Sequence, residues 1–260
     1  MKVHNVVRVM NFHALIRVDN AKRQAQKYMQ MQEALMQMMA CIVNNRNFRL
    51  DKSILQPPKD GRILNICLGS DLGFCGNYNY KVNEEIRADA NEDIILIGKK
   101  LYAGEDVNVL QRFARRDFSE KYGELEQIIR DAILSRRYSS IVLTHIHYEN
   151  TTSNYLEKLQ IFPVKKFSDE TYTEDFEVEG NLGDLFSHML GTYVTSELCL
   201  AVINSNAAEN VLRQNATTES LKRIEEIEAE QERVDRRERQ TKEFSKIIDS
   251  FSKRSLYENS

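Results

Sequence analysis

Small and apolar residues recur every seven positions in the first part of the chain, in two rows offset by four. The rows are Ala14, Ala21, Tyr28, Leu35, Ile42 and Val18, Ala25, Gln32, Met39. Alternating steps of three and four residues are typical of a coiled-coil seam, so the pattern predicts a helix from Lys2 to about Asn47. Such a helix is on the order of 70 Å long, and it needs a partner helix to bury its apolar stripe.

A second heptad pattern near the C-terminus supplies the predicted partner. Its main row is Ile227, Val234, Thr241 and Ile248, and its offset row holds Phe244 and Phe251. The pattern predicts one helix from about Asp184 to Phe251, on the order of 100 Å long. The chain between Leu212 and Val234 is largely polar, so this part is expected to be exposed or to contact something other than the first helix.

Between these helices, strand-like and helix-like patterns alternate. Strands are predicted at Arg62–Leu68, Asp93–Ile97, Ser140–His147 and Lys158–Val164, and helices at about Asn79–Ala90 and Ser119–Tyr138. This order is typical of a small, mostly parallel sheet with crossover helices. The predicted α/β fold combines a long antiparallel coiled coil of N- and C-terminal helices with a small Rossmann-like three-layer domain. The predicted divisions are 1–56 and 184–260 for the two coiled-coil helices and 57–183 for the Rossmann-like domain.

The composition agrees with that organisation. All 10 glycines and 3 prolines lie between Pro57 and Gly191, which leaves both ends free of helix breakers. No apolar run approaches the roughly 20 residues that cross a bilayer, and the N-terminus lacks a signal core, so no membrane span and no export are expected. Cys41, Cys67, Cys75 and Cys199 lack CxxC spacing and are expected to be reduced thiols.

Charge is unevenly distributed along the chain. The net charge of −3 argues against a general nucleic-acid binder. Residues 1–56 nevertheless hold nine Lys and Arg against three acids, which fits either a docking surface for an acidic partner or a solvated helix face. The segment Asp169–Asp184 holds seven acids and no base, and is expected to form a loop or an edge hairpin before the last helix.

No motif in the sequence predicts catalysis or a cofactor. The loop Gly69–Gly76 follows a strand, but it has neither P-loop nor GxGxxG spacing, so a tight turn with close packing is favoured over a phosphate cradle. His145 and His147 project to one face of a strand, but no third ligand is evident beside them, and no metal site is predicted.

Several segments resemble the γ subunit of F-type ATP synthase. The stretch from Gly69 to Asn79 is similar to the family signature S-D-R-G-L-C-G-G-x-N, with matching positions at Gly69, Ser70, Asp71, Gly73, Cys75 and Gly76. Arg8-Val-Met10 followed by Ala14 and Arg17 resembles the family's K-A-M-x-M-V-A-A-x-K helix. Further matches are Ile97–Lys100, Ser196-Glu197 through Asn215-Ala-Thr217, and Arg236 with Thr241-Lys-Glu243. Leu72 stands where the family usually has Arg, so any salt link made there is lost.

The resemblance implies a central rotor subunit of an F1-type ATPase or ATP synthase, which is not itself an enzyme and holds no cofactor. Its implied partners are the alpha- and beta-type ring subunits, an epsilon-type subunit and the membrane rotor ring, with no nucleic acid. The implied location is the cytoplasmic side of a bacterial membrane, attached through the complex. The candidate ring contacts are Arg8, Arg17, Arg236, Arg237, Thr241 and Glu243.

Two other function classes stay open on sequence grounds. One is a coiled-coil scaffold or adaptor with a Rossmann-like head, which uses the long helices but does not rotate. The other is a small-ligand enzyme that uses the Gly69–Gly76 loop. The resemblance leaves open whether the complex is a standard synthase or a specialised F1-like ATPase.

Overall fold

The structure, a computed structural model, describes residues 2–258 except 46, 88, 90, 152 and 165–177, and only the backbone of 2, 52 and 249–258. Most of the predicted acidic loop or hairpin therefore lies outside the described residues. The helices are α1 (Lys2–Val43), α2 (Tyr78–Asn83), α3 (Tyr122–Leu134) and α4 (Leu182–Glu258), and the strands are β1 (Arg62–Leu68), β2 (Glu92–Ile97), β3 (Val109–Phe113), β4 (Tyr138–Tyr148) and β5 (Asn154–Phe162).

Helices α1 and α4 form the predicted antiparallel coiled coil. The Asn11 amide donates hydrogen bonds to the Thr217 hydroxyl (3.0 Å) and to the Gln214 carbonyl (3.1 Å). His4 lies 3.9 Å from Glu225, and Tyr28 hydrogen-bonds with Cys199 much closer to the start of α4. As residue numbers increase along α1, the numbers of the residues they contact on α4 decrease, which confirms the antiparallel arrangement.

The predicted seam of α1 is confirmed along its length. Its buried members are Ala14, Val18, Ala21, Met39 and Ile42, none more than 4% exposed. The remaining seam positions are half-buried. Small residues at the N-terminal end let the two helices approach closely, and larger ones fill the wider space near the sheet.

The predicted partner row on α4 is wrong. Ile227, Val234, Phe244 and Ile248 are exposed by 43–68%. Every other described side chain of α4 from 225 to 248 is exposed as well. The side of α4 that packs on α1 lies earlier, within residues 186–224. At Glu225 the pairing has already reached His4, close to the start of α1, so the later heptads run past the end of their predicted partner.

The sheet is mixed, with strand order β3-β2-β1-β4-β5. Strands β1, β2 and β4 pair in parallel, as expected for the predicted mostly parallel sheet, and β3 adds to β2 in parallel. Strand β5 pairs antiparallel with β4 in a hairpin. Strand β3 was not predicted, β5 begins four residues earlier than expected, and α2 is much shorter than the predicted Asn79–Ala90 helix. The hairpin arises because the short connection between β4 and β5 has no room for a crossover helix.

Side chains cover both faces of the sheet, which confirms a three-layer domain. One face packs against α3, the start of α4 and the end of α1 through residues such as Leu64, Ile129 and Phe186. The opposite face packs against α2 through Cys67, Tyr78 and neighbours. The division at 56/57 and 183/184 stays a prediction, since one apolar cluster links α1, the sheet and α4.

The structure also shows the state of the four cysteines and the burial of the apolar part of α4. All four cysteines are free, and Cys67, Cys75 and Cys199 are buried. One stretch of α4 is long and apolar enough to cross a membrane by composition, but 61% of it is buried inside the protein. A helix packed in this way is a core helix of the fold.

Candidate functional site at the junction of the head domain and the coiled coil

The loop Gly69–Gly76 follows β1 at the carboxyl edge of the parallel strands and is held by its own polar side chains. The Asn79 side chain accepts from the Ser70 N–H (2.9 Å) and donates to the Ser70 hydroxyl (2.8 Å). That hydroxyl donates to the Leu72 carbonyl (2.6 Å). These groups satisfy one another, which favours the structural interpretation of the loop over a phosphate cradle. Leu72, at the position of the family's arginine, is 60% exposed.

Glycine at two positions allows the ends of β1 and β2 to meet. Gly98 has φ +131°, and a Cβ there would lie 2.6 Å from the Gly69 carbonyl carbon. A Cβ on Gly69 would in turn lie 2.4 Å from the Leu101 side chain. Backbone can approach backbone this closely only without side chains.

Asp71 joins the ends of three neighbouring strands. Its Oδ1 accepts from the backbone N–H groups of Lys99 (2.9 Å) and Arg115 (3.0 Å), and its Oδ2 from that of Arg116 (3.0 Å). Burial acts to raise the pKa of Asp71, but the three backbone hydrogen bonds outweigh it, so the pKa lies below its usual value. The carboxylate is therefore ionised at neutral pH and fixes the strand ends in place.

Arg115 links this edge of the sheet to α4. Its guanidinium donates to the Glu209 carboxylate (2.8 Å) and the Val202 carbonyl (3.0 Å) on α4, and to the Gly69 carbonyl (3.1 Å) in the loop. Arg213, one turn beyond Glu209, pairs with the same carboxylate and donates to the Gly73 carbonyl (3.3 Å). The side chains of Arg115, Glu209 and Arg213 are only 11%, 8% and 6% exposed. We call these three residues the junction cluster.

Tyr78 adds a further contact between the α/β domain and α4. Its hydroxyl is hydrogen-bonded to the Ser205 hydroxyl on α4 and accepts from Arg115 (3.3 Å). Burial raises the pKa of Tyr78, so the phenol stays protonated. Burial opposes the charge of Arg115, but Tyr78 and Glu209 outweigh it and raise its pKa. The junction is thus a neutral phenol beside two guanidinium groups that share one carboxylate, which is an arrangement suited to mechanical attachment.

Sequence reasoning missed the junction cluster, although it singled out the loop beside it. The available signal was the pair Glu209 and Arg213, four residues apart within a run of small and apolar helix positions. A charged pair on the side of a helix that is otherwise buried indicates a third charged partner elsewhere in the chain. The sequence gives no means of identifying that partner as Arg115.

The six candidate ring contacts all lie on the exposed surface of the coiled coil, but at two levels. Arg8 and Arg17 are exposed on α1, beside the part of α4 that packs against it. Arg236, Arg237, Thr241 and Glu243 are exposed on the segment of α4 beyond Glu225. Arg8 lies opposite about position 220 of α4, so Arg236 is about 24 Å further along the axis at 1.5 Å per residue. The structure does not bring the two groups together.

Sequence reasoning also missed an apolar surface on α1. Val6, Val9 and Phe12 are exposed by 56–60%, on the side of the helix that faces away from α4. Together with Val3 they form an apolar strip at the N-terminal end of the coiled coil. Exposed apolar strips of this kind are typical of protein-interaction surfaces.

Comparison with known proteins identifies relatives over almost the whole chain. The sequence model of the family described as ATP synthase matches residues 1–252. A protein named ATP synthase gamma chain from Rickettsia felis is 26% identical over 210 residues, which span 71% of this chain and 70% of that protein. The protein of the same name from Mycoplasma mycoides is 20% identical over 263 residues, covering 95% of this chain and 94% of that protein.

Solved structures show the same fold. A chain from the central stalk and c-ring of Tetrahymena thermophila mitochondrial ATP synthase matches with a TM-score of 0.57 and 15% identity, covering 83% of this chain and 99% of that chain. A chain from the OSCP/F1/c-ring part of Euglena gracilis mitochondrial ATP synthase matches with a TM-score of 0.51 and 13% identity, covering 95% and 94%. The α/β head with two long terminal helices is therefore a fold that recurs in ATP synthases.

Proposed function

Because the chain belongs to the ATP synthase gamma-chain family, we propose that it is the central rotor subunit of an F1-type ATPase or ATP synthase. In this role it couples its own rotation to ATP hydrolysis or synthesis at the catalytic subunits that surround it. The chain itself is non-catalytic, binds no cofactor, and acts by making different contacts with chemically identical sites as it turns.

The observation that best supports this role is the exposed segment of α4. The coiled coil leads away from the α/β domain, and α4 extends about 50 Å from Glu225, which lies beside His4 of α1, to Glu258. All described side chains from 225 to 248 are exposed. A rod of this length serves no purpose in packing the head domain, whereas it fits the central cavity of a ring of alpha- and beta-type subunits.

The two levels of candidate contacts divide the ring interaction into two types. Near the start of α1, the apolar strip with Val6, Val9 and Phe12 gives a surface that slides without fixed partners, flanked by Arg8 and Arg17. Further along, Arg236, Arg237, Thr241 and Glu243 supply charge and hydrogen-bonding groups. Arginine suits such a role because its fork binds a carboxylate at one subunit and can bind the equivalent carboxylate at the next.

At the opposite end, the head domain contacts the epsilon-type subunit and the membrane rotor ring. The junction cluster then transmits torque, because it fixes the head domain to α4 through buried charged side chains that pair with one another. The complex is peripheral to the cytoplasmic side of a bacterial membrane, and named relatives from Rickettsia and Mycoplasma support a bacterial source.

The test is to replace Arg8 and Arg236 by alanine together in the assembled complex. Both side chains are exposed, so the fold should be retained, and ATP-driven rotation observed with a probe on the head domain should slow at least several-fold. The matched control is Arg49→Ala, an exposed arginine just beyond the end of α1 at the head. Rotation as fast in the double variant as in the control would refute the contact assignment.

Co-purification distinguishes the rotor from a coiled-coil scaffold. A rotor isolated from its native source should co-purify with nucleotide-binding ring subunits at a fixed ratio of more than one per rotor chain. The isolated chain should have no ATPase activity. Recovery with partners other than a nucleotide-binding ring would support the scaffold. Nucleotide turnover by the isolated chain would refute the non-catalytic role.

A further inference from the structure

Three side chains on the β4–β5 hairpin converge on one point. The Oε2 atom of Glu157 lies 2.9 Å from Nδ1 of His147 and 3.5 Å from Nε2 of His145. One ligand atom from each of the three residues lies within 4.8 Å of the others. His145 and His147 are two apart on β4, and Glu157 is the residue directly opposite His145 on β5. The cross-strand register therefore builds the cluster.

Burial makes this arrangement unusual for a simple surface ion pair. His145 is 1% exposed, and its Nδ1 is buried without a well-formed hydrogen bond, although the backbone of Leu143 lies near the ring. The Nε2 of the same ring faces the Glu157 carboxylate at 3.5 Å. A neutral imidazole carries one proton for its two nitrogens. With that proton on Nε2, the N–H group is at the outer limit of hydrogen-bond distance from Glu157, and Nδ1 keeps a buried lone pair. With the proton on Nδ1, the Nε2 lone pair faces the carboxylate, and a cation between them would relieve the repulsion.

We propose that His145, His147 and Glu157 form a Zn²⁺ site that joins β4 to β5. Tetrahedral zinc with bonds of 2.0–2.1 Å holds its ligand atoms about 3.3 Å apart. The separations of 2.9 and 3.5 Å from Glu157 bracket that value, and the two histidine nitrogens lie within 4.8 Å of each other. Two imidazoles with one carboxylate suit a borderline-soft divalent cation, whereas Mg²⁺ and Ca²⁺ require mainly oxygen ligands. The fourth position is left to water.

The surroundings of the site favour retention of a bound ion. His147 stacks on Tyr155 with ring centroids 5.1 Å apart, which limits rotation of that imidazole. The nearby Arg115 repels a cation, and this repulsion is reduced because Arg115 pairs at 2.8 Å with Glu209, a carboxylate that it shares with Arg213. The site lies at the carboxyl end of β4, the end of a parallel sheet at which ligands commonly bind. Sequence reasoning missed it because the third ligand lies on the next strand.

A bound zinc would link the two strands of the β4–β5 hairpin, whether or not the protein acts as a rotor. Its test is therefore separate from that of the proposed function. The full chain is stripped with a chelator, and Zn²⁺ is titrated against a chromogenic competitor. We expect one equivalent to bind with micromolar or tighter affinity, to raise Tm, and to resist competition by excess Mg²⁺. Co²⁺ in its place should give the intense visible bands of a tetrahedral complex.

Variants identify the ligands without disturbing the core. His147→Asn and Glu157→Gln change side chains that are partly exposed, and each should lower zinc affinity about 100-fold or more. The matched control His13→Asn, at an exposed histidine of α1, should leave the affinity unchanged. Circular dichroism establishes that each variant is folded. Absence of stoichiometric binding by the wild-type chain, or equal affinity in all three variants, would overturn the proposal.

Discussion

Replacement of Glu209 by alanine tests whether the junction cluster holds the head domain to α4. The change removes the carboxylate that lies between two guanidinium groups, one on Arg115 at 2.8 Å and one on Arg213. All three side chains are at most 11% exposed, so water cannot take over the role of the carboxylate. Removing one partner of a buried ion pair costs about 3–5 kcal/mol, and we expect a loss of that size in the free energy of unfolding.

Urea denaturation of the full chain, followed by circular dichroism, measures this loss. With an m-value of about 2–3 kcal/mol/M, the expected loss moves the midpoint by about 1–2.5 M. The matched control is Glu219→Ala on the same helix, since Glu219 also pairs with an arginine four residues away, but both side chains are 65–72% exposed. An exposed pair of this kind contributes about 0–1 kcal/mol, so the control should move the midpoint by less than about 0.5 M.

A double-mutant cycle separates the ion pair from general damage. Arg115→Met and Glu209→Ala together should cost less than the sum of the two single changes, because the double variant leaves one fewer unpaired charge buried. A loss below about 1 kcal/mol for Glu209→Ala, or strict additivity with Arg115→Met, would refute the reasoning. The attachment would then depend on apolar packing alone.

Three further changes test the fold and its pH dependence. Leu35→Asp, on the half-buried seam of α1, should lower the free energy of unfolding by about 2 kcal/mol or more, measured in urea. Gly98→Ala should cost at least about 2 kcal/mol in the same assay, because φ is +131° and the added Cβ meets backbone at 2.6 Å. Asp71→Asn should cost about 1–2 kcal/mol at pH 7. The pKa of Asp71 in the folded protein lies below the usual aspartate value of 3.8, so this contribution is present above pH 3.8 and is lost as the pH falls through the folded-state pKa.

Each of these changes has a control or a contradicting result. Met38→Asp, 56% exposed on the same helix as Leu35, should change stability by less than about 0.5 kcal/mol. An equal effect at both positions would mean that the seam is misplaced. Gly104→Ala has open space around its Cβ and should cost less than about 1 kcal/mol. If Asp71→Asn lost stability on acidification as steeply as the wild-type chain, Asp71 would not be the titrating group.

The sequence predicts most reliably the features that depend on local periodicity. The seam of α1 follows directly from its heptads, and the buried strands β1, β2 and β4 follow from apolar runs that end in turns. Strand β3 was missed because Val109–Phe113, Val-Leu-Gln-Arg-Phe, is short and shows neither a continuous apolar run nor a strict apolar–polar alternation. The periodicity around Val234 correctly indicates a helix, but it cannot show where the partner helix ends.

Pairings between distant positions could not be predicted in the same way. Arg115 is 94 residues from Glu209, and Glu157 reaches His145 only because a hairpin sets the register between β4 and β5. In each case the sequence around one residue does not identify its partner, because the two side chains come close only in the folded chain. The family resemblance drew attention to the Gly69–Gly76 loop, but gave no indication of the charged cluster that anchors the loop to α4.

The exposed segment of α4 has a consequence for where proteases cut the chain. A helix of this length with its whole surface in water is only marginally stable, and ion pairs such as Arg236 with Glu232 add only a few tenths of a kcal/mol each. Proteases should therefore cut the isolated chain within residues 225–248 before they cut the packed part of α4. If the proposed ring encloses this segment, limited proteolysis distinguishes the free chain from the assembled one.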